Sequence, residues 1–317
     1  MDVPLIETRN LKKYFKTPHG PLHAVDNVNL TINKGKTLGV VGESGCGKST
    51  LGRTILRLLE PTEGEVLYNG KNILNYNFTE MQEIRKKMQI IFQDPYSSIN
   101  PRMTVSDIIA EPIRVCKTIT GKKEIEKAVN DIMERVGLSR RLINTYPHEL
   151  DGGRRQRIGV ARAIILNPEF IVCDEPVSAL DVSIQAQILN LMMDLQEEQG
   201  YSYMFITHDL SVVKHISDEI AVMYMGQCVE KAASRELFNN PKHPYTLALL
   251  DAILIPNLSE RHKKSNIIKG EVTSPINPKP GCRFAPRCPH ATDECTAGHV
   301  GLKEISPDHF VACTLFN

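Results

Sequence analysis

The segment Gly42-Glu43-Ser44-Gly45-Cys46-Gly47-Lys48-Ser49-Thr50 constrains this chain more than any other. It follows the apolar run Leu38-Gly39-Val40-Val41 and opens a stretch that reads as a helix, Lys48 to Leu59. Strand, glycine-rich turn and helix in that order satisfy G-x-x-x-x-G-K-[ST], the pattern of a loop that cradles phosphates. Gly42, Gly45 and Gly47 let the backbone wrap with its N–H groups inward. Lys48 supplies a cation for β- and γ-phosphates, and the Ser49 hydroxyl is placed to ligate Mg2+. Ser44, Cys46 and Thr50 complete the nucleotide-binding loop, with Cys46 as a spectator whose alkylation would block ATP by bulk.

A second feature belongs to the same chemistry. Four apolar residues, Phe170 to Cys173, run into Asp174-Glu175, which puts two acids at the carboxyl end of a buried strand, where α/β sheets bind ligands. Asp174 is expected to hold the Mg2+ shell through water. Glu175 is then free to orient or deprotonate an attacking water.

The rest of the chain is arranged around these two points. Short strand-like runs alternate with turns up to about residue 92: Ile6–Leu11, Val25–Ile32, Leu38–Val41, Glu65–Tyr68 and Met88–Phe92. From Gln93 to about Leu166 apolar positions recur at three and four, which predicts an inserted helical subdomain over about 93–166. Strand runs return at Phe170–Cys173, Met204–Ile206 and Ile220–Met223, with a helix around Ser183–Gln199. Alternating strands and helices mean a parallel sheet and an α/β fold. Pro275, Pro278, Pro280, Pro286 and Pro289 crowd the end of the chain and mark a boundary, so residues 1–240 are read as the nucleotide-binding domain and 241–317 as a carboxy-terminal extension.

Composition narrows the function. Lys and Arg number 38 against 37 Asp and Glu, a formal charge of +1 that argues against a nucleic-acid partner held by bulk charge. No apolar run approaches the ~18 residues that span a bilayer, and Met1-Asp2-Val3-Pro4 lacks the start of a signal peptide. A cytosolic chain that docks on a membrane protein is expected.

Cys282, Cys288, Cys295 and Cys313 are separated by five, six and seventeen residues, with Gly281, Pro286 and Pro289 bending the chain around them. Four cysteines so grouped in a cytosolic protein point to a metal site rather than disulfides. The spacing is wider than in most zinc ribbons, so a [4Fe–4S] cluster is the preferred occupant, Zn2+ the alternative, and unligated or oxidised cysteines the remaining reading. His290, His299 and His309 are expected to be surface histidines.

These residues together resemble the ATP-binding-cassette ATPases over about residues 5 to 255. The resemblance implies a P-loop NTPase core with an antiparallel β subdomain, the helical insertion and a small Cys-rich carboxy-terminal module. It implies a Mg2+-contacting glutamine at Gln93, a γ-phosphate-sensing histidine at His208, and a dimer-crossing loop at Ser178-Ala179-Leu180-Asp181. Tyr14 is by similarity the ring on which adenine stacks, with Phe15 as its competitor.

The tail, with His243-Pro244-Tyr245-Thr246-Leu247-Ala248-Leu249-Leu250 and Gly281-Cys282-Arg283-Phe284-Ala285-Pro286-Arg287-Cys288-Pro289, is similar to the extension of dipeptide, oligopeptide and nickel importer ATPases. Some members of that group carry an iron–sulfur cluster. The likeness implies an ATPase on the cytoplasmic face of the cell membrane, working with transmembrane permease subunits and, indirectly, an extracytoplasmic solute-binding protein. Asp94, Pro95 and Tyr96 are candidates for the permease contact. A soluble ATPase of translation or DNA repair, or an exporter ATPase, is the alternative.

One motif departs from the family. The signature, usually Leu-Ser-Gly-Gly-Gln, reads Leu150-Asp151-Gly152-Gly153-Arg154. In the family each ATP is sandwiched between one subunit's P-loop and the other's signature, so Asp151 would face the partner's γ-phosphate. Like charges ~4 Å apart at an effective dielectric of ~20 repel by about 4 kcal/mol. This leads to a heterodimer with a paralogous ATPase subunit as the preferred assembly. The other reading has Asp151 turn aside to pair with Arg154, leaving a working homodimer.

Overall fold

The computed structural model of the protein describes residues 3–252 and 274–316. Met1-Asp2 and the 253–273 stretch of the carboxy-terminal extension, with Asn317, lie outside them. In chain order the elements are β1 (Ile6–Thr17), β2 (Gly20–Ile32), β3 (Thr37–Val41), α1 (Lys48–Ile55), β4 (Glu63–Tyr68), β5 (Lys71–Asn72), α2 (Phe78–Lys87) and β6 (Met88–Ile91). Then follow α3 (Pro95–Ser98), α4 (Val105–Cys116), α5 (Lys122–Arg135), α6 (Gly152–Ile164), β7 (Phe170–Asp174), α7 (Val182–Gln199), β8 (Ser202–Ile206) and α8 (Leu210–Ile216). The last group is β9 (Glu219–Tyr224), β10 (Gln227–Ala233), α9 (Ser234–Asn239), α10 (Pro244–Asp251), α11 (Glu294–Ala297), β11 (Lys303–Ser306) and β12 (His309–Val311).

Two sheets organise these elements. The smaller is antiparallel, in the order β2-β1-β4-β5. The larger runs β11-β12-β10-β9-β3-β8-β7-β6, and its strands β9, β3, β8, β7 and β6 are parallel. Strands β3, β7 and β8 are buried along their whole length, as a parallel sheet covered on both faces requires. One apolar cluster joins the two sheets through α1 and α2, with Leu51, Ile55 and Met81 against Val40, Val172 and Ile206. Another seats α4, α5, α6 and α7 around Ile109, Met133, Ile158 and Ile188. Each such side chain contributes about 1.5–3 kcal/mol by leaving water.

Several expected elements change at their ends for identifiable reasons. Helix α1 stops at Ile55 rather than Leu59, because Arg57 turns left-handed (φ 50°) and the N–H groups of Leu58 and Leu59 fold back onto the Arg53 carbonyl. Helix α2, unread in the sequence, starts from a capping box in which Asn77 and Glu80 each accept the other's backbone N–H. Strand β10 was hidden by Glu230 and Lys231, both buried. The carboxy-terminal residues continue the large sheet, with β12 paired to β10 through Glu230↔Val311 and Lys231↔Phe310.

His309 is a correction to the surface reading. It is fully buried, with Nε2 2.8 Å from Glu230 Oε1. Glu230 also accepts the backbone N–H groups of Lys242 and His243, so one carboxylate ties β10, β12 and the start of α10 together.

Candidate functional site

Four neighbouring parallel strands, β6, β7, β8 and β3, end at one edge of the large sheet. The chain leaving each one carries a part of the site: Gln93 after β6, Asp174-Glu175 at the end of β7, His208 after β8, and the glycine loop after β3. Residues up to 166 positions apart in sequence, Gly42 and His208, are thereby placed side by side, at the place where such sheets take ligands.

The loop has the shape its glycines predict. Gly42, Gly45 and Gly47 have φ of 150°, 77° and 102°. A Cβ at Gly47 would stand 1.9 Å from the Ala24 carbonyl oxygen, and one at Gly42 2.1 Å from that of Met223, so no other residue fits without moving the backbone. Gly47 caps α1, whose first N–H groups open toward the loop. Lys48 is 4% exposed, and its ammonium donates to the carbonyls of Gly42 at 2.8 Å and Glu43 at 3.0 Å. A buried cation held by neutral loop groups, these two carbonyls and the Cys46 sulfur at 3.8 Å, suits an incoming phosphate.

Next to it, the Ser49 hydroxyl donates to Asp174 Oδ1 at 2.6 Å, and Arg53 reaches Asp174 Oδ2 at 3.2 Å. Asp174 is 1% exposed. A hydroxyl and a carboxylate oxygen at this distance suit a hard cation such as Mg2+, which would complete its shell with water and phosphate oxygens. The residues present therefore fit both the nucleotide and its metal.

Glu175 lies just beyond. On a regular strand it would point away from Asp174's neighbours, but its φ of 47° takes the chain out of the strand. This left-handed conformation costs about 1–3 kcal/mol and is held by the Glu175 N–H bond to the Ile206 carbonyl at 2.9 Å. The carboxylate accepts from Gln93 Nε2 at 2.9 Å and lies 3.4 Å from His208 Nδ1. Amide, carboxylate and imidazole thus converge on one point.

Other predicted residues are placed as follows. Tyr14 stacks on His23, ring centroids 3.8 Å apart, and its hydroxyl donates to Asp26. Burial, reinforced by the Asp26 carboxylate, pushes the Tyr14 hydroxyl well above its ordinary pKa. Phe15, the competitor, is more exposed, with Lys13 5.1 Å above its ring. Asp181 caps α7, accepting the Ile184 N–H at 3.1 Å. Asp151 caps α6, where Gly152 and Gly153 begin the helix, and pairs with Arg154. Its charge is therefore directed into its own helix. Cys46 is 4% exposed, and burial raises its thiol pKa, so it is shielded rather than presented to the nucleotide.

The metal reading of the carboxy-terminal cysteines is corrected. Cys282, Cys288, Cys295 and Cys313 line one small cavity of about 10 Å3, the space of about one water. Among the described residues, no group of three or more His, Cys, Asp or Glu side chains is placed to hold a metal ion, which overturns both the iron–sulfur and the zinc reading. The thiols are engaged otherwise. Burial pushes the Cys282 thiol up to about 11 and raises Cys288 and Cys313, while hydrogen bonds from Thr292 and Thr314 lower that of Cys295. Cys295 Sγ takes hydrogen bonds from the Thr292 N–H at 3.5 Å and contacts the Thr314 hydroxyl at 3.2 Å.

Comparison with known proteins follows the same outline. The family model described as ABC transporter matches residues 25–178, and that of the oligopeptide/dipeptide transporter C-terminal region matches residues 229–295. The oligopeptide transport ATP-binding protein OppF of Salmonella typhimurium is 52% identical over 95% of this chain and 90% of its own. The oligopeptide transport ATP-binding protein AppF of Bacillus subtilis is 49% identical over 99% and 98%. The chain belongs to the ATP-binding-cassette transporter family. A solved cassette of this family, a dimer in a post-hydrolysis state bound to ADP and Pi, superimposes with a TM-score of 0.67 at 30% identity, covering 73% of this chain and 99% of that one. As in any ATP-binding cassette, the α/β core and the antiparallel sheet carry an ATPase.

Sequence reasoning missed five residues that border this cassette's site. Glu43 of the loop is gripped by Arg287, while its N–H donates to the Tyr245 hydroxyl at 2.9 Å. Arg283 pairs with Asp26 beneath Tyr14. The available signal was two arginines four apart in a Pro/Gly-bent run, with Phe284 between them.

Proposed function

We propose that this chain is the ATP-hydrolysing subunit of an importer of di- and oligopeptides. Its relatives of about half identity are named oligopeptide and dipeptide transport ATP-binding proteins, which supports peptides over the soluble and exporter alternatives. The observation that carries the chemistry is the convergence of Gln93 and His208 on Glu175, beside the Ser49–Asp174 pair.

In this reading Lys48 and the loop N–H groups hold the β- and γ-phosphates, Glu175 orients and deprotonates the attacking water, and His208 meets the γ-phosphate. Mg2+, when bound with the nucleotide through Ser49, Asp174 and Gln93, offsets the phosphate charge. Tyr14 supports adenine. Two cassettes close around two nucleotides, each signature at Asp151–Arg154 covering the other's loop and Asp181 lying at the seam.

The helices between Gln93 and Leu166 act as the inserted unit that moves on closure. Its exposed Tyr96, beneath Arg155, is offered to the permease subunits at the cytoplasmic face. No helix among the described residues is long and apolar enough to cross a membrane. The partner cassette is a paralogous subunit or a second copy, and the capped Asp151 supports a signature competent for either. The test is MgATP hydrolysis by the full chain, together with uptake of a labelled tripeptide by cells lacking it. Turnover without any uptake defect would remove the import reading.

A further inference from the structure

We propose that Arg283 and Arg287 are positioning residues of the nucleotide site, holding its base end and its phosphate end from one turn of the carboxy-terminal segment. The proposal rests on the ATPase reading and adds a role for a segment outside the nucleotide-binding core.

Arg287 is the phosphate-end contact. Its guanidinium makes a fork with the Glu43 carboxylate, NH1 to Oε2 at 2.9 Å and NH2 to Oε1 at 3.1 Å. A bidentate fork fixes both the distance and the rotation of its partner. The arginine side chain is only 7% exposed, and NH1 also donates to the Tyr224 hydroxyl at 3.2 Å. Glu43 follows the first loop glycine, and its backbone N–H is taken by Tyr245. Both its side chain and its backbone are thus held from outside the core. Released, this carboxylate would be free to swing toward the phosphates that the loop must accept.

Arg283 is the base-end contact. It pairs with Asp26, which also accepts the Tyr14 hydroxyl and lies 3.2 Å from His23 Nδ1. The other end of the same guanidinium donates to the Met225 carbonyl, and the next residue, Gly226, donates its N–H to the Cys46 carbonyl of the loop at 2.8 Å. Between the two arginines Phe284 is 1% exposed and sits among Tyr224, Tyr245 and His243, so the turn that carries them is anchored.

The experiment is steady-state ATP hydrolysis by the full chain with inorganic tripolyphosphate as a competitor lacking a base. Arg287→Ala should raise the KM for ATP about tenfold, as expected for losing a charge-assisted bond, with kcat changed less than about twofold, and should weaken tripolyphosphate inhibition equally. Adding Glu43→Ala to Arg287→Ala should recover part of the lost affinity, because it removes the carboxylate that the first change releases. Arg283→Ala should raise the KM for ATP while leaving tripolyphosphate inhibition unchanged.

Unfolding temperature is measured alongside. If the alanine variants do not fold, Arg287→Lys, which loses the fork, and Arg283→Lys, which cannot reach Asp26 and the Met225 carbonyl together, keep the charge and should shift KM in the same direction. Folded variants with wild-type KM would overturn the proposal, as would a loss confined to unfolding temperature. A wild-type chain that neither binds nor hydrolyses ATP would instead remove the ATPase reading on which the proposal stands.

Discussion

Asp151 Oδ1 accepts the backbone N–H of Arg154 at 2.7 Å, while its second oxygen lies 3.5 Å from Arg154 Nε. The acid that replaces serine in the signature therefore does what serine does at a helix start. Its charge favours the N-terminus of α6 and is partly offset by Arg154, which removes much of the repulsion expected from sequence. Replacing Asp151 by Ser together with Arg154 by Gln should leave ATP turnover within about threefold, whereas Asp151→Ala should cost about 1 kcal/mol of stability through the lost cap. A tenfold rise in turnover for the double variant would restore the repulsion argument.

Glu175 has two partners aimed at the same carboxylate, the Gln93 amide and the His208 imidazole. Glu175→Gln should lower ATP turnover by about 100-fold or more with ATP affinity retained. The same variant should accumulate in the closed, nucleotide-bound pair, and its mass in solution with MgATP, alone and with a paralogous cassette, identifies the partner. Unchanged turnover would move the base elsewhere.

Glu230 is buried among three groups that depend on it: the Lys242 and His243 N–H groups and His309. Removing one member leaves the others desolvated and unpaired. Glu230→Ala should therefore destabilise the chain by about 2–4 kcal/mol in urea unfolding, and Glu230→Gln, which keeps an acceptor, by less. Equal loss in the two variants would mean that volume, not hydrogen bonding, sets the cost.

The nucleotide loop and the β7 acids were legible because their chemistry is local: glycines at fixed spacing and two acids ending an apolar run. Gln93 and His208 were reached through resemblance, since only the strand order of the sheet brings them to Glu175. What the sequence concealed was long-range or against type. Arg283 and Arg287 look like surface charge until Asp26 and Glu43 are placed beside them, and Glu230, Lys231 and His309 break the apolar pattern that marks a buried strand. The cysteines misled for the opposite reason, because spacing alone cannot tell whether four thiols face an ion or their own hydrogen-bond partners.

His243 begins α10, its Nδ1 accepting the Tyr245 N–H at 3.1 Å, and burial lowers its pKa from 6.5 to about 4. Between those two values the unfolded chain binds the proton and the folded chain does not, so stability rises with pH across this window and is lost as pH falls through it. At 1.36 kcal/mol per unit the loss approaches roughly 3 kcal/mol near pH 4 and is absent above pH 7. His243→Asn keeps a side-chain acceptor for the helix start but cannot titrate. Urea unfolding at pH 7 and pH 5 should show a smaller decline for this variant than for the wild type. Parallel declines would assign the acid sensitivity to groups other than this imidazole.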